Sequence, residues 1–574
     1  MNAEILEKVQ LWQERLTDPE LKEELEGLVA ADNEEALNDA FYRSLAFGTA
    51  GLRGVLGVGT NRMNIHVVAQ ATQGLADYLN AHYENPTVAI ARDSRLHGED
   101  FQKVAAGVLA ANGIRVYVYP RIEPVPTLSF AVRYLKTSAG IVLTASHNPA
   151  PYNGYKVYND NGGQIANEAA DEISANIGKV DIFDGVRCMD FDEALAAGLV
   201  EWTPEEVLDA FIANVKKVSV PGFTAAEGYK VVYTPLNGTG IECVTRILEE
   251  IGVKDVSIVP EQAEPDGRFP TCSYPNPEFR EALELALKLA EKVKPNLVVA
   301  TDPDADRMGA AIPHKGDYVL ISGNEMGVLM MDWLCQQAAK AGENVAEKVA
   351  VTTIVSSVMP DALAEDWGFE LRRVLTGFKY LGDQIDQLKD AGEEDRFLMG
   401  FEESYGYLVG THARDKDAIV ATMICVEMAS DYAARGMDLY EAMEELYKKY
   451  GYYLNGTVNA SFPGETGAVR MDEIMTGLRE KPLSEIAGLA VTGVTDFAAG
   501  PEMPRVGGLQ KEAPQVLPGT NAIEYRLEGG NKVIFRPSGT EPKVKAYLFA
   551  KGETRADAEA VRAKLDEASK AILS

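Results

Sequence analysis

Gly140-Ile141-Val142-Leu143-Thr144-Ala145-Ser146-His147-Asn148-Pro149 is an apolar run that stops at a serine. An apolar run of this length, without polar alternation, predicts a strand buried on both faces. The residues that follow, Pro151-Tyr152-Asn153-Gly154-Tyr155-Lys156, read as a polar loop. Asn148-Pro149 stiffens its start, because proline fixes its own φ and drives the preceding residue out of the helical region. A serine at such a strand end is a hydroxyl on a fixed platform, which a nucleophile needs. An ordinary strand followed by an Asn-Pro turn reads the same way on this segment alone.

Outward from that strand the texture repeats. Strand candidates at Thr87–Ala91, Ile114–Tyr119 and Ile141–Thr144 alternate with helical patterning over Glu99–Asn112, which predicts parallel strands joined by crossover helices. A second unit starts near Trp202, with Tyr229–Tyr233, a helix ending about Ile251, Asp255–Val259, a helix over Glu278–Lys292, and Asn296–Ala300. A third starts near Asn324 with a Met-rich apolar helix, followed by Lys348–Thr353, Phe369–Leu375 and Phe397–Phe401. After about Tyr453 the strand candidates crowd together, at Tyr453–Ala460, Ala490–Thr492, Ala522–Leu527, Lys532–Phe535 and Val544–Ala550. A last helix presents Ala558, Val561, Leu565, Ala568 and Ile572 on one face. Residues 3–46 carry helical patterning and form an N-terminal collar. The organisation expected is an α/β domain over 1–204 with that collar, two more over 205–323 and 324–453, and a smaller α+β domain over 454–574.

The 574 residues carry 55 basic and 87 acidic side chains, a net charge of −32. Nucleic acid and anionic membranes reward dense positive charge, so neither is expected as a partner. An anionic substrate would need a locally basic site. Cys188, Cys243, Cys272, Cys335 and Cys425 are scattered without a CxxC pair, which fits reduced thiols of a cytoplasmic protein rather than a disulfide or zinc framework. The first residues mix charges with apolar positions at helical spacing, unlike a signal or transit peptide, and no run approaches the ~18 apolar residues of a membrane span.

Asn296-Leu297-Val298-Val299-Ala300 is another buried-strand pattern, and it delivers Thr301-Asp302-Pro303-Asp304-Ala305-Asp306-Arg307. Carboxylates at alternate positions can converge on one hard divalent cation, and without a cation their mutual repulsion opposes folding. An EF-hand is excluded: its sixth and twelfth positions need glycine and glutamate, and here they are Arg307 and Pro313. Strand-Asp-x-Asp also suits an aspartyl nucleophile, with Asp302 attacking phosphorus and Asp304 handling protons. The third carboxylate, Asp306, favours a metal cradle.

Two further loops carry donors and acceptors. Phe401-Glu402-Glu403-Ser404-Tyr405-Gly406-Tyr407 offers carboxylates and a hydroxyl, which suit sugar hydroxyls, although a helix cap or surface turn has the same composition. Arg536-Pro537-Ser538-Gly539-Thr540-Glu541-Pro542-Lys543 combines a planar guanidinium fork, two hydroxyls and a glycine that lets main-chain N–H groups form an anion nest. A plain hairpin between Lys532–Phe535 and Val544–Ala550 would not need those donors.

Together, Thr144-Ala145-Ser146-His147-Asn148-Pro149, Asp302-Pro303-Asp304-Ala305-Asp306-Arg307, Glu402-Glu403-Ser404-Tyr405-Gly406 and Arg536-Pro537-Ser538-Gly539-Thr540 resemble the signature loops of the α-D-phosphohexomutase superfamily. The resemblance spans almost the whole chain. It implies four domains around a central cleft, three of them α/β with mixed sheets and the last an α+β domain like TATA-binding protein. It implies that Ser146 carries a phosphoryl group and that Asp302, Asp304 and Asp306, with a phosphate oxygen on Ser146, hold Mg²⁺. Glu402 and Ser404 match the family's sugar contacts, and Arg536, Ser538, Gly539 and Thr540, with Lys543 at the end of the same loop, match its grip on the phosphate not in transfer. Arg307, next to the aspartates, joins the substrate-binding set. Lys156 in Tyr152-Asn153-Gly154-Tyr155-Lys156 resembles a proton-transfer lysine, with His147 the other candidate base, and Arg53 in Gly51-Leu52-Arg53-Gly54 resembles an arginine beside the phosphoserine. Thr376-Gly377-Phe378-Lys379-Tyr380 resembles the loop that senses sugar orientation, contributing Gly377 and Lys379, and Lys416 stands where relatives have a basic residue near the site.

Pro303 and Phe401 depart from the glycines many relatives have there. Gly48-Thr49-Ala50-Gly51-Leu52-Arg53-Gly54 with Asp302-Pro303-Asp304 is similar to the branch of bacterial α-phosphoglucomutases and of animal enzymes that also act on phosphopentoses. The activity implied is interconversion of α-D-glucose 1-phosphate and glucose 6-phosphate through phospho-Ser146 and glucose 1,6-bisphosphate, with Mg²⁺ as cofactor and a phosphosugar as partner. Phosphopentomutase or phosphomannomutase activity on the same scaffold, and an aspartyl-nucleophile phosphatase, are the alternatives.

Overall fold

The structure is a computed structural model and describes residues 3–48, 51–462, 464–503, 505–508, 515–538 and 543–574. These fall into two units: Met1–Val218 with Lys230–Met308 and His412–Met423, and Ser219–Tyr229 with Gly309–Thr411 and Ile424–Ser574.

In the first unit the apolar runs become strands β1 (Gly51–Val55), β2 (Thr87–Arg92), β3 (Arg115–Val118), β4 (Ala139–Leu143), β5 (Tyr152–Asn159) and β6 (Val200–Trp202), in the spatial order β1-β5-β4-β2-β3-β6. β2 pairs in parallel with β3 and β4, and β3 in parallel with β6. β4 is buried at every position. Helix Val125–Leu135 lies so close over it that a Cβ on Gly140 would come within 2.6 Å of Val132.

The residues after Pro151 depart from expectation. They form β5 rather than a loop, running back antiparallel to β4 with Val142 opposite Lys156, and pairing with β1 on the other side. Asn153 and Lys156 read as loop residues because they are polar. Their partners lie inside the protein instead of in water: the Asn153 amide donates to Leu96 O at 2.9 Å and Lys156 reaches the aspartates. The sheet is thus mixed, as the family resemblance implied and the α/β alternation did not.

The collar is three helices, Ala3–Arg15, Pro19–Ala30 and Glu34–Phe41, packed around Ile5, Val9, Trp12, Leu25, Leu37 and Phe41. Asp18 caps the second by accepting the Leu21 N–H. The unit's second sheet holds β7 (Lys230–Thr234) between β8 (Asp255–Ile258) and β9 (Leu297–Thr301), all parallel, and β9 is buried throughout.

In the second unit a hairpin of β10 (Met308–His314) and β11 (Asp317–Ile321) leads to the Met-rich helix Gly323–Lys340, started by a Ser322/Glu325 capping box. β12 (Val349–Thr353) lies between β13 (Glu370–Val374) and β14 (Phe397–Glu402), parallel to both, and β15 (Gly406–Val409) closes antiparallel to β14. The last sheet is antiparallel, in the order Tyr452–Ser461, Lys543–Gly552, Asn531–Pro537, Ile523–Leu527, Leu489–Asp496. Leu565 and Leu573 of helix Arg555–Leu573 pack on it with Val533, Phe535 and Leu548. The fold is therefore three α/β sheets followed by a C-terminal α+β domain. Among the described residues no helix is long and apolar enough to cross a membrane.

Candidate active site

β4 ends at Leu143, and three residues later Ser146 adopts a left-handed backbone with φ 55°. For a residue with a Cβ this conformation costs about 1–2 kcal/mol, so it needs support. Part of it is local: the Ser146 N–H donates to Thr144 Oγ1 at 2.8 Å, and the Asn148 N–H to Ala145 O at 3.1 Å. The hydroxyl of Ser146, only 2% exposed as a residue, donates to Asp302 Oδ2 at 3.1 Å and lies 3.2 Å from His147 Nδ1.

β9 places the aspartates in the same way, at the end of a buried strand. Asp302 Oδ1 accepts the N–H groups of Asp306 at 3.1 Å and Arg307 at 2.9 Å. Asp302, Asp304 and Asp306 are buried and bring carboxylate oxygens within 4.8 Å of one another. Burial, followed by the charges of Asp304 and Asp306, pushes the Asp302 carboxyl well above its usual range. Burial acts the same way on Asp306, but Lys416, Lys156 and Arg307 outweigh it and hold that carboxyl down. Lys156 Nζ lies 2.9 Å from Asp304 Oδ2 and 3.4 Å from Asp306 Oδ2. Lys416 Nζ lies 3.1 Å from Asp306 Oδ2 and 2.9 Å from Asp415 Oδ1. Asp304 Oδ1 and Asp306 Oδ1 remain buried without a hydrogen bond. Orphaned oxygens in an all-carboxylate cluster fit a hard divalent cation, which prefers oxygen ligands.

Two more expected residues border this centre. Arg53 donates to Asn148 Oδ1 at 3.3 Å, and Arg307 Nη1 donates to Glu278 Oε1 at 2.8 Å. Loss of water contact, then the cations Arg307, Arg53, Arg95 and Lys156, hold His147 well below the usual histidine range, so its ring is neutral at neutral pH. The sequence reading missed Asp93 and the role of Thr144: the Thr144 hydroxyl lies 2.6 Å from Asp93 Oδ2 and 3.1 Å from Asp304 Oδ2. It also missed Asp415, which takes the Tyr158 hydroxyl at 2.7 Å and the Gln164 amide at 2.9 Å. Asp93 had a usable signal. It stands one residue beyond a buried-strand candidate, the same context that singled out Asp302.

In the second unit, the N–H of Gly377, at φ 122°, donates to Glu402 Oε1 at 2.8 Å, joining the two segments expected to meet a sugar. Lys379 is buried with its ammonium 5.3 Å from the Tyr380 ring centre, and Ser404 is half-buried in the turn between β14 and β15. Arg536 is half-buried near the end of its strand, where it opposes the upward push of burial on the Tyr547 hydroxyl. The Ser538 N–H donates to Lys543 O at 2.8 Å, so the loop is closed as a hairpin. Gly539 and Thr540 lie outside the described residues.

Family models for phosphoglucomutase/phosphomannomutase α/β/α domains I, II and III match residues 44–182, 209–316 and 322–450. The chain belongs to the phosphoglucomutase/phosphomannomutase family. Within this family, the phosphoglucomutase of Staphylococcus saprophyticus is 36% identical over 539 residues, covering 94% of this chain and 95% of its own length. Parafusin, a phosphoglucomutase of Paramecium in its open form, shares the fold with a TM-score of 0.64 at 17% identity, over 93% of this chain and 95% of its own. An N-acetylphosphoglucosamine mutase of Aspergillus fumigatus, solved with glucose 1,6-bisphosphate, superposes with a TM-score of 0.50 at 12% identity, over 100% of this chain and 99% of its own. This member of the α-D-phosphohexomutase superfamily is an enzyme, an intramolecular phosphotransferase.

Proposed function

We propose that this chain is a phosphoglucomutase that interconverts α-D-glucose 1-phosphate and glucose 6-phosphate through phospho-Ser146 and glucose 1,6-bisphosphate. The observation that carries it is the Ser146 hydroxyl, held on a left-handed turn 3.1 Å from Asp302 at the edge of the carboxylate cluster. The choice of glucose rests on the phosphoglucomutase relative that aligns over most of both chains. The bisphosphate bound by the Aspergillus mutase supports the intermediate.

In the first half-reaction the bond between phosphorus and Ser146 Oγ breaks, and phosphorus bonds to the free sugar hydroxyl. That hydroxyl's proton passes to a base, and Oγ is left to be protonated. A covalent carrier divides one hard transfer into two easier ones. Asp302, Asp304 and Asp306, with an oxygen of phospho-Ser146, would hold Mg²⁺, which when bound neutralises charge on the transferring phosphoryl. Lys156 is a donor to two of those carboxylates, and its pKa is raised, Asp304 and Asp306 outweighing the effect of burial. It therefore serves as a cation beside the phosphoryl, and of the two candidate bases His147 is the neutral one, with Nδ1 3.2 Å from Ser146 Oγ. Arg53 and Arg307 flank the transferred group. Gly377, Lys379, Glu402 and Ser404 meet sugar hydroxyls, and Arg536, Ser538, Gly539, Thr540 and Lys543 hold the other phosphate. In this division the carrier belongs to a 1–204 domain, the metal ligands to 205–323, the sugar contacts to 324–453 and the distal phosphate grip to 454–574.

An aspartyl nucleophile fits less well. Both oxygens of Asp302 are already engaged, Oδ1 by two N–H groups and Oδ2 by Ser146. Coupled assays of the purified enzyme on glucose 1-phosphate, mannose 1-phosphate and ribose 1-phosphate, each with its matching bisphosphate, test the proposal. Turnover should be fastest on glucose 1-phosphate; comparable rates on mannose or ribose would overturn the assignment of substrate.

A further inference from the structure

On the footing that Ser146 is the phosphate carrier, we propose that Arg95 is a positioning residue: a buried staple that sets the backbone of the Ser146 loop and thereby the direction of Oγ. β2 ends at Arg92 and hands on Asp93-Ser94-Arg95. The Arg95 side chain is fully buried. Its Nη1 donates to Pro149 O at 3.0 Å and Tyr152 O at 2.8 Å, and its Nη2 to Ser146 O at 2.6 Å and Asn148 O at 2.5 Å. One guanidinium thus gathers the carbonyls of four residues of this loop, Ser146, Asn148, Pro149 and Tyr152.

The same cation reaches Ser146 from the other side. Arg95 Nε lies 3.3 Å from Asp93 Oδ2, the oxygen that accepts from the Thr144 hydroxyl, and Thr144 Oγ1 receives the Ser146 N–H. Both the N–H and the C=O of the left-handed serine are therefore tied to one buried ion pair. Phe269 covers the guanidinium at 5.1 Å, and Gly267 packs so tightly that a Cβ there would lie 2.5 Å from Ser94 O. Only a planar fork with several donors can span such a set of carbonyls; a lysine ammonium cannot. Without the fork the serine can relax toward an ordinary backbone conformation and carry Oγ away from the aspartates.

The test compares Arg95→Ala and Arg95→Lys with the native enzyme by kcat, KM for glucose 1-phosphate, circular dichroism, and recovery of activity on adding millimolar guanidinium. Displacing a reacting atom by about 1 Å costs on the order of 10²-fold, so both variants should lose about that much in kcat while KM changes by less than about 3-fold. Guanidinium should restore the alanine variant and leave the lysine variant unchanged. A lysine variant within about 3-fold of native kcat would overturn the proposal, as would loss of folding in both variants even with guanidinium present, because the residue would then be merely structural. A phosphopeptide bearing Ser146 from the native enzyme is the control. Its absence removes the carrier reading itself; its presence alongside fully active Arg95 variants removes the staple alone.

Discussion

The centre around Ser146 and the loops around Glu402 and Arg536 both hold charged groups, by different means. At the centre, three buried aspartates face Lys156, Lys416 and Arg307, and the serine's own N–H and hydroxyl are both engaged. In the other unit, Glu402 accepts one main-chain N–H, and Arg536 stands half-buried at a hairpin mouth. The first arrangement keeps charge in a dry, pre-oriented setting, where electrostatic stabilisation of a transition state is strongest. In the proposed function the second presents a few polar groups to the sugar phosphate and contributes mainly to binding.

Substitutions can break or sharpen that contrast. Ser146→Ala should show the largest effect, a loss of roughly 10⁴-fold or more in kcat in a coupled assay, as for removal of other covalent nucleophiles. Excess chelator should abolish turnover, with activity returning on addition of Mg²⁺, and Asp306→Asn should cost on the order of 10³-fold in kcat, the size of loss seen when one preorganised electrostatic group is removed from a reacting centre. Arg536→Gln should act on KM, raising it about 30-fold for the loss of about 2 kcal/mol of charged hydrogen bonding, with kcat nearly kept. Glu402→Gln should be mildest, about 5-fold in KM, because the amide still accepts the Gly377 N–H and loses only charge toward a sugar hydroxyl. If Arg536→Gln lowered kcat more than Asp306→Asn does, the contrast between a chemical centre and a binding periphery would collapse.

The sequence made the aspartates and the serine visible because each is a polar break after an apolar strand. Lys156 was legible as a motif residue but not as part of a strand, since its polarity is satisfied by Asp304, far along the chain. Arg95 was not legible at all. Its significance lies in carbonyls of residues 146–152, which only folding brings to it. Helix Gly464–Glu480 was also missed: its glycines lower local helix propensity, while Ile474, Met475 and Leu478 gain burial that overrides it. The plain hairpin weighed for the Arg536 loop is present, closed by the Ser538 N–H on Lys543 O.

The most direct test is to incubate the enzyme with glucose 1,6-bisphosphate carrying labelled phosphate, quench it, and locate the label by mass spectrometry of the peptides. Label on the peptide containing Ser146, absent from Ser146→Ala, is the expected result. Label on Asp302, or undiminished turnover by Ser146→Ala, would contradict the phosphoserine carrier.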